Sequence, residues 1–161
     1  MLKILFLPLL LTCVIWFSEG HAGSTFTAVV TKIIDGDSIV VKNGKKYIEV
    51  RFYGIDCPEW NQHSATLAKR YIKSWIYKKK VVIAPQYHDS YGRLVALIEH
   101  NGQDVNGGLV KSGMAWVYPK YCKKKVCEKW REDQSSAQGE GRGLWESIEP
   151  VPPWQWKRMH H

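Results

Sequence analysis

Short runs of alternating apolar and polar residues follow one another through the first half of the chain. In the clearest run, residues 45–53, the apolar positions are Ile48, Val50 and Phe52. This period of two predicts a strand with one apolar face and with Arg51 on the opposite face. Asn43-Gly44, just before it, is typical of a two-residue hairpin turn. The pattern therefore predicts a hairpin that pairs this strand with residues 38–41.

Other segments extend the same reasoning to the rest of the chain. Runs rich in Val, Ile and Leu predict further strands at 26–34, 81–84 and 94–98. Apolar residues at helical spacing predict helices over 64–77, 105–111 and 126–138. The proline- and tryptophan-rich residues 148–161 predict an extended tail. Five short strands with about three helices indicate an α+β fold that is mainly β, a small Greek-key barrel of a kind that often binds oligonucleotides.

The N-terminal residues have the layout of a secretory signal peptide. Lys3 precedes the apolar residues 4–17, and Gly20-His21-Ala22 supplies a small-x-small cleavage pattern after residue 22. A membrane anchor is the alternative, but this apolar stretch falls short of the ~20 residues that span a bilayer. Lipidation at Cys13 is a still weaker alternative interpretation of these N-terminal residues. We expect an exported protein, periplasmic or extracellular, without stable membrane association after cleavage, whose domain spans 23–147 and is followed by the tail 148–161.

Composition and net charge indicate the number of domains and the kind of partner. The 161 residues suit one domain, and an apolar fraction of 45% excludes a mostly disordered chain. The net charge is +8, and cleavage would remove one charge of each sign. A basic mature protein favours polyanionic partners such as nucleic acid, although charge alone also fits a protein that is merely soluble.

The predicted export changes what is expected of the cysteines, because an exported protein meets an oxidising compartment. Cys122 and Cys127 flank a short lysine-rich loop, and an oxidising compartment favours a disulfide between them. A zinc site completed by His160 and His161 is the weaker alternative, because no second cysteine pair is present. Cys57 is left as an odd thiol or as a small buried apolar residue.

Acidic residues follow two of the predicted strands. Asp35-Gly36-Asp37 lies between the first two, and Asp56-Cys57-Pro58-Glu59 follows the third. Either segment alone is compatible with a plain turn. If the strands are neighbours in one barrel, Asp37 and Asp56 converge, and paired carboxylates suit a hard cation. Glu59 would then lie where it can act on water.

Two arginines and a tyrosine complete the candidate site. Arg51 and Arg93 come from separate strands, and guanidinium groups match phosphate oxygens with paired hydrogen bonds. Exposed salt bridges are the ordinary alternative for either one. Tyr91 can stack on a base or simply pack in its turn. Together these residues suggest a metal-dependent phosphodiesterase.

Four segments in register resemble motifs of the staphylococcal nuclease (thermonuclease) family. Val29 to Ser38 is similar to its opening strand and D-G-D-T/S motif, and Arg51 to Glu59 to its R-x(4)-D-x-P-E motif. Asp89 to Arg93 matches the D-x-Y-G-R turn, and Val105 to Ala115 matches V-N-x(2)-L-V-x(2)-G-x-A. Arg142 to Trp145 also resembles the C-terminal region of secreted members. The resemblance runs from Phe26 to Trp145, and the four motifs together are specific where each alone is weak.

The resemblance implies a fold, an activity and a cofactor. The fold would be a five-stranded OB-type barrel with three helices. The activity would be calcium-dependent endonucleolytic hydrolysis of DNA and RNA that leaves 3′-phosphates. Apart from the resemblance, we expect a monomer. One calcium ion would be bound by the carboxylates of Asp37 and Asp56 and by the backbone carbonyl of Cys57.

The same resemblance implies roles for the remaining residues. Glu59 would orient or deprotonate the attacking water. Arg51 and Arg93 would hold the phosphate and stabilise charge at five-coordinate phosphorus. Tyr91, Tyr118 and Tyr121 are candidates for contacts with the nucleotides.

Some features depart from the family pattern. Ser90 stands where a lysine is common, and the loop after Glu59 looks short. Some members of this fold are non-catalytic nucleic-acid-binding modules, which is the main alternative. A secreted interaction domain with a basic surface is another. The presence of all five expected acidic and arginine side chains favours the enzyme.

Overall fold

The computed structural model describes residues 23–160, so the predicted signal peptide, residues 1–22, lies outside the described residues. The strands, β1 to β8, are Phe26–Ile33, Ser38–Asn43, Lys46–Phe52, Ile55–Asp56, Lys80–His88, Leu94–His100, Gln103–Asp104 and Trp116–Val117. The helices, α1 to α4, are Ala65–Ile76, Val105–Lys111, Val126–Gly139 and Pro153–Met159, and a 3₁₀ turn spans Gly143–Glu146. Within the described residues, no helix is long and apolar enough to cross a membrane.

Five of the strands close into a barrel. Strands β3, β2, β1, β5 and β6 are antiparallel neighbours in that order. A parallel pairing between β3 and β6, with Val50 opposite Leu94 and Arg51 opposite Val95, joins the two ends. Closure leaves no open edge among these strands. The α+β OB-type barrel expected from the sequence is confirmed, with four α-helices in residues 23–160 where about three were expected.

The barrel interior is filled by the apolar face of each strand. The fully buried residues include Val30, Ile39, Val41, Val50, Phe52, Ile83 and Ile98. Helix α1 adds Ala68, Ile72 and Ile76 to the same core. Each buried aliphatic side chain contributes about 1.5–3 kcal/mol relative to exposure. This packing holds the strand ends that carry the polar residues in fixed positions.

The C-terminal tail differs from its prediction. Residues 153–159 form α4, not an extended segment. Pro153 is buried at the first helical position, where the missing N–H is one that the helix would leave unpaired in any case. The clustered prolines therefore start a helix, and the prediction of an extended tail was wrong here.

Candidate active site

Two carboxylates from adjacent segments converge on one arginine. In the β2–β3 hairpin Ser38 pairs with Arg51, so Asp37 lies beside Arg51. Asp56 ends β4 and reaches the same guanidinium from the other side. Arg51 Nη1 contacts Asp37 Oδ1, and Nη2 donates to Asp56 Oδ1 at 2.5 Å. One partly exposed positive charge thus faces two buried negative charges.

Packing fixes the loop that carries Asp37. Asp35 Oδ1 accepts a hydrogen bond from the Asp37 amide at 3.0 Å, and Asp37 Oδ2 accepts one from the Cys57 amide at 2.5 Å. A Cβ on Gly36 would lie 2.7 Å from the Cβ of Cys57 and 2.8 Å from its Sγ. Glycine is therefore required by close approach to Cys57, and the two acidic segments are locked together.

One oxygen of Asp56 is unsatisfied. Asp56 Oδ2 is buried and has no hydrogen-bond partner within residues 23–160. Burial raises the pKa of Asp56, against the opposing effect of the Arg51 charge. An unpaired buried carboxylate oxygen is costly, by about 1–3 kcal/mol or more. Such an atom is suited to accept a cation.

The donor set fits calcium better than a soft metal. No three His, Cys, Asp or Glu side chains converge as a ready metal cluster in the described part of the chain. A site here would combine the Asp37 and Asp56 carboxylates with a backbone carbonyl and water, all oxygen ligands. Burial raises the pKa of the Cys57 thiol well above its ordinary value, which disfavours the thiolate that a softer metal would prefer.

Glu59 lies on the loop that follows Cys57. Its amide donates to Gln62 Oε1 at 3.1 Å, and its carbonyl accepts from the Gln62 amide at 2.7 Å. The Glu59 side chain is 29% exposed, and Oε1 lies 2.8 Å from Lys157 Nζ. The carboxylate is therefore beside the buried acidic pair, yet open to solvent water.

Barrel closure brings Arg93 to the same cleft as Arg51. It directly precedes Leu94, which pairs with Val50 in the parallel β3–β6 contact. Arg93 Nε donates to Asp89 Oδ2 at 2.8 Å, while Asp89 Oδ1 accepts from the Tyr91 and Arg93 amides. Although partial burial would raise the pKa of Asp89, these hydrogen bonds lower it overall. The Asp89 carboxylate thus anchors this turn and fixes the orientation of the Arg93 side chain.

The three predicted tyrosines lie in different surroundings. Tyr91 is 84% exposed, and the Arg93 guanidinium lies 5.4 Å from its ring centroid. Tyr118 stacks on Trp154 with centroids 4.7 Å apart and an interplanar angle of 12°. Tyr121 is exposed and meets Tyr118 edge-on. One face of Tyr118 is therefore covered by protein, whereas Tyr91 is free to meet a base.

All predicted site residues line one open cleft. They are Asp37, Arg51, Asp56, Cys57, Glu59, Tyr91, Arg93, Tyr118 and Tyr121. The predicted Cys122–Cys127 disulfide is also present and fixes the segment before α3.

Sequence reasoning missed the roles of two residues: Lys157, which lines this cleft, and Asn106, which does not line it but ties together strands of the barrel. Buried Asn106 accepts from the Ile98 amide at 3.0 Å and donates to the Tyr53 carbonyl at 3.0 Å, which ties β6 to the end of β3. Asn106 lies inside a recognised motif. A polar residue among apolar ones there was the sequence signal that could have indicated a buried hydrogen-bonding role. Lys157 had no such signal, because its position in the cleft depends on how the tail folds.

Two carboxylates, a third acidic group and two arginines in one cleft of an OB-type barrel are suited to the hydrolysis of a phosphodiester. Residues 49–147 match the family model described as "Staphylococcal nuclease homologue", and the chain belongs to this family. It is therefore a member of a family of nucleases, which are hydrolases.

Similar proteins occur in several organisms. The chain is 36% identical over 134 residues to an uncharacterized endonuclease of Haemophilus influenzae, covering 83% of this chain and 74% of that one. It is 30% identical over 146 residues to a micrococcal nuclease of Shigella flexneri, covering 85% and 83%. A staphylococcal-like nuclease of Arabidopsis thaliana is 32% identical over 113 residues, which cover 70% of this chain and 34% of the plant protein.

Proposed function

We propose that this protein is an exported, calcium-dependent endonuclease that hydrolyses DNA and RNA and leaves 3′-phosphates. The observation that carries the proposal is the convergence of Asp37 and Asp56 on Arg51, with Asp56 Oδ2 unpartnered among the described residues 23–160. The names of the nuclease relatives and the net charge of +8 support nucleic acid as the substrate. Export rests on the signal-peptide pattern of the first 22 residues.

In this proposal the chain's own side chains divide the chemistry. Glu59 accepts a proton from water as its oxygen attacks phosphorus. Arg51 and Arg93 bind the non-bridging oxygens, where negative charge grows in the transition state. The bond from phosphorus to the 5′-oxygen breaks, the 5′-oxygen takes up a proton from solvent water, and the phosphate stays on the 3′-side. Glu59 then releases its proton to solvent. Calcium, held by Asp37, Asp56 and the Cys57 carbonyl, would supply further charge neutralisation at the phosphate.

Charge explains why Arg51 suits this role. It already neutralises part of the buried acidic pair, so the cleft can accept an anionic phosphate. Phosphoryl transfer needs in-line positioning and charge stabilisation more than covalent chemistry. A fixed guanidinium costs little reorganisation at the moment of reaction.

Degradation assays with the mature protein test the proposal. Plasmid DNA and RNA are incubated with calcium, with magnesium and with a chelator, and the ends of the products are mapped. We expect cleavage of both substrates with calcium, loss of cleavage with the chelator, and 3′-phosphate ends. Absence of cleavage with every metal, together with salt-sensitive DNA binding, would instead establish a nucleic-acid-binding module.

A further inference from the structure

Helix α4 places Lys157 beside Glu59, the residue that acts as the base in the proposed mechanism. Lys157 Nζ lies 2.8 Å from Glu59 Oε1 and 3.8 Å from Asp56 Oδ1. Within residues 23–160, Lys157 is the one cationic side chain that pairs with Glu59. We propose that Lys157 is a positioning residue for phosphodiester hydrolysis and acts through Glu59; this inference rests on the proposed nuclease function.

Several contacts anchor α4 in this place. Trp154 stacks on Tyr118 and meets Trp116 edge-on at 5.8 Å. Trp156 Nε1 donates to Asn61 Oδ1 at 2.9 Å. Aromatic stacking of this kind contributes about 0.5–1.5 kcal/mol per pair beyond burial. The helix is therefore held by specific packing and does not merely lie on the surface.

The residues that hold the C-terminal segment lie on, or pair with, the segments that carry Asp56 and Glu59. Trp116 pairs with Asp56 in the antiparallel β4–β8 ladder. Gln62 Nε2 donates to the Val151 carbonyl at 2.5 Å, and the Gln62 side chain also accepts from the Glu59 amide. The C-terminal segment thus fixes Glu59 in two ways. Val151 holds Gln62, which binds the Glu59 backbone, and Lys157 in α4 binds the Glu59 carboxylate.

Glu59 has particular need of such a partner. Its loop lies between β4 and α1 and has no regular secondary structure around residue 59. Asp37 and Asp56 are both held by Arg51, whereas the Glu59 carboxylate pairs with Lys157. Misplacing a reacting group by about 1 Å can cost about 100-fold in rate. Holding this carboxylate in place is therefore a direct contribution to hydrolysis.

The ammonium group does not compete for the oxygen that suits a cation. Lys157 approaches Asp56 Oδ1, which Arg51 also contacts, while Asp56 Oδ2 has no hydrogen-bond partner in the part of the chain that the structure describes. Lysine and a metal can therefore use different oxygens of the same carboxylate. The Lys157 side chain is 42% exposed, so α4 leaves the cleft open above it. This geometry favours a supporting role over a blocking one.

Residue 157 lies C-terminal to the segment that the family model matches. The family model matches residues 49–147, and α4 begins at Pro153. Lys157 thus reaches from the C-terminal tail into a cleft that the barrel builds.

Steady-state cleavage of one defined DNA at saturating calcium tests the proposal with Lys157→Ala, Lys157→Met and Lys157→Arg. Lys157→Met keeps the apolar stem, and Arg158→Ala is the matched control, because it removes a neighbouring exposed positive charge from the same helix. We expect Lys157→Ala and Lys157→Met to lower kcat by about 10- to 100-fold, with KM changed less than about threefold. Lys157→Arg should retain most of the rate, and Arg158→Ala should equal the wild type.

A double variant shows whether the effect passes through Glu59. In a Glu59→Gln background, Lys157→Ala should cause no further loss, because the two residues act as one unit. Wild-type rates in Lys157→Ala and Lys157→Met would overturn the inference, and rates above wild type would also overturn it by making α4 a restraint. No cleavage by the wild-type protein would instead overturn the proposed nuclease function, so the two failures are distinguishable.

Discussion

Arg51 Nη2 donates to Asp56 Oδ1 at 2.5 Å, while the other oxygen of Asp56 has no hydrogen-bond partner in residues 23–160. Arginine thus satisfies half of this buried carboxylate and leaves the other half for a cation. This relationship makes Asp56 the side chain on which calcium binding should depend most directly.

Asp56→Asn should weaken calcium binding by about 10-fold or more, because calcium affinity depends on the number of charged carboxylate ligands. Isothermal titration calorimetry measures the dissociation constant directly. Asp133→Asn is the matched control, since Asp133 pairs with Lys129 at the surface of α3. An unchanged calcium affinity in Asp56→Asn would remove Asp56 from the metal site.

Arg51→Lys should lower the single-turnover cleavage rate by about 100-fold or more while DNA affinity changes little. A lysine ammonium cannot present the planar fork that meets Asp37, Asp56 and a phosphate, and losing one transition-state donor typically costs about 100- to 1,000-fold. Rapid-quench cleavage and fluorescence anisotropy measure the two quantities. Arg70→Lys, at an exposed position of α1, serves as the control. A near-normal rate in Arg51→Lys would exclude Arg51 from the chemistry.

Asp89→Asn should reduce the free energy of unfolding at pH 7 by about 1 kcal/mol. The folded-state pKa of Asp89 is lowered, so its stabilisation is present above the unfolded pKa of about 3.9 and is lost as the pH falls through the folded value. The difference between wild type and variant should therefore shrink below about pH 4. Urea unfolding at several pH values measures it, and a difference that stays constant with pH would contradict the assignment.

Replacing both Cys122 and Cys127 by alanine should lower the free energy of unfolding by about 2 kcal/mol, the value expected for so short a closed loop. The two cysteines are five residues apart in sequence and both are buried. Wild type unfolded with reductant is the control and should lose a similar amount. Equal stability of oxidised wild type and the double variant would show that the bond contributes nothing.

Much of the fold was predictable because its signals are local. The alternation around Val50 and the Asn43-Gly44 turn predict the β2–β3 hairpin, which the structure contains. Strand β5 runs to His88, beyond the predicted end at residue 84, because Pro85 lies at an irregularity in the β5–β6 pairing. Proline is tolerated in strands at such places, and sequence alone does not show where they occur.

The candidate site was predictable to the extent that its residues follow strands in recognisable motifs. Asp37, Arg51 and Asp56 meet because barrel register fixes where those strands end. Lys157 was not predictable, since its place depends on tryptophan packing between segments that are far apart in sequence. Asn106 was visible in a motif, but its hydrogen bonds to β6 and Tyr53 require the tertiary structure.

The most direct test of the central claim is the single-turnover cleavage rate of Glu59→Gln at saturating calcium, measured beside its calcium and DNA affinities. Glutamine keeps the size of the side chain but cannot accept a proton from water. The mechanism predicts a rate at least about 100-fold lower, with both affinities close to wild type. A cleavage rate within about twofold of wild type would contradict the assignment of the chemistry to this cleft.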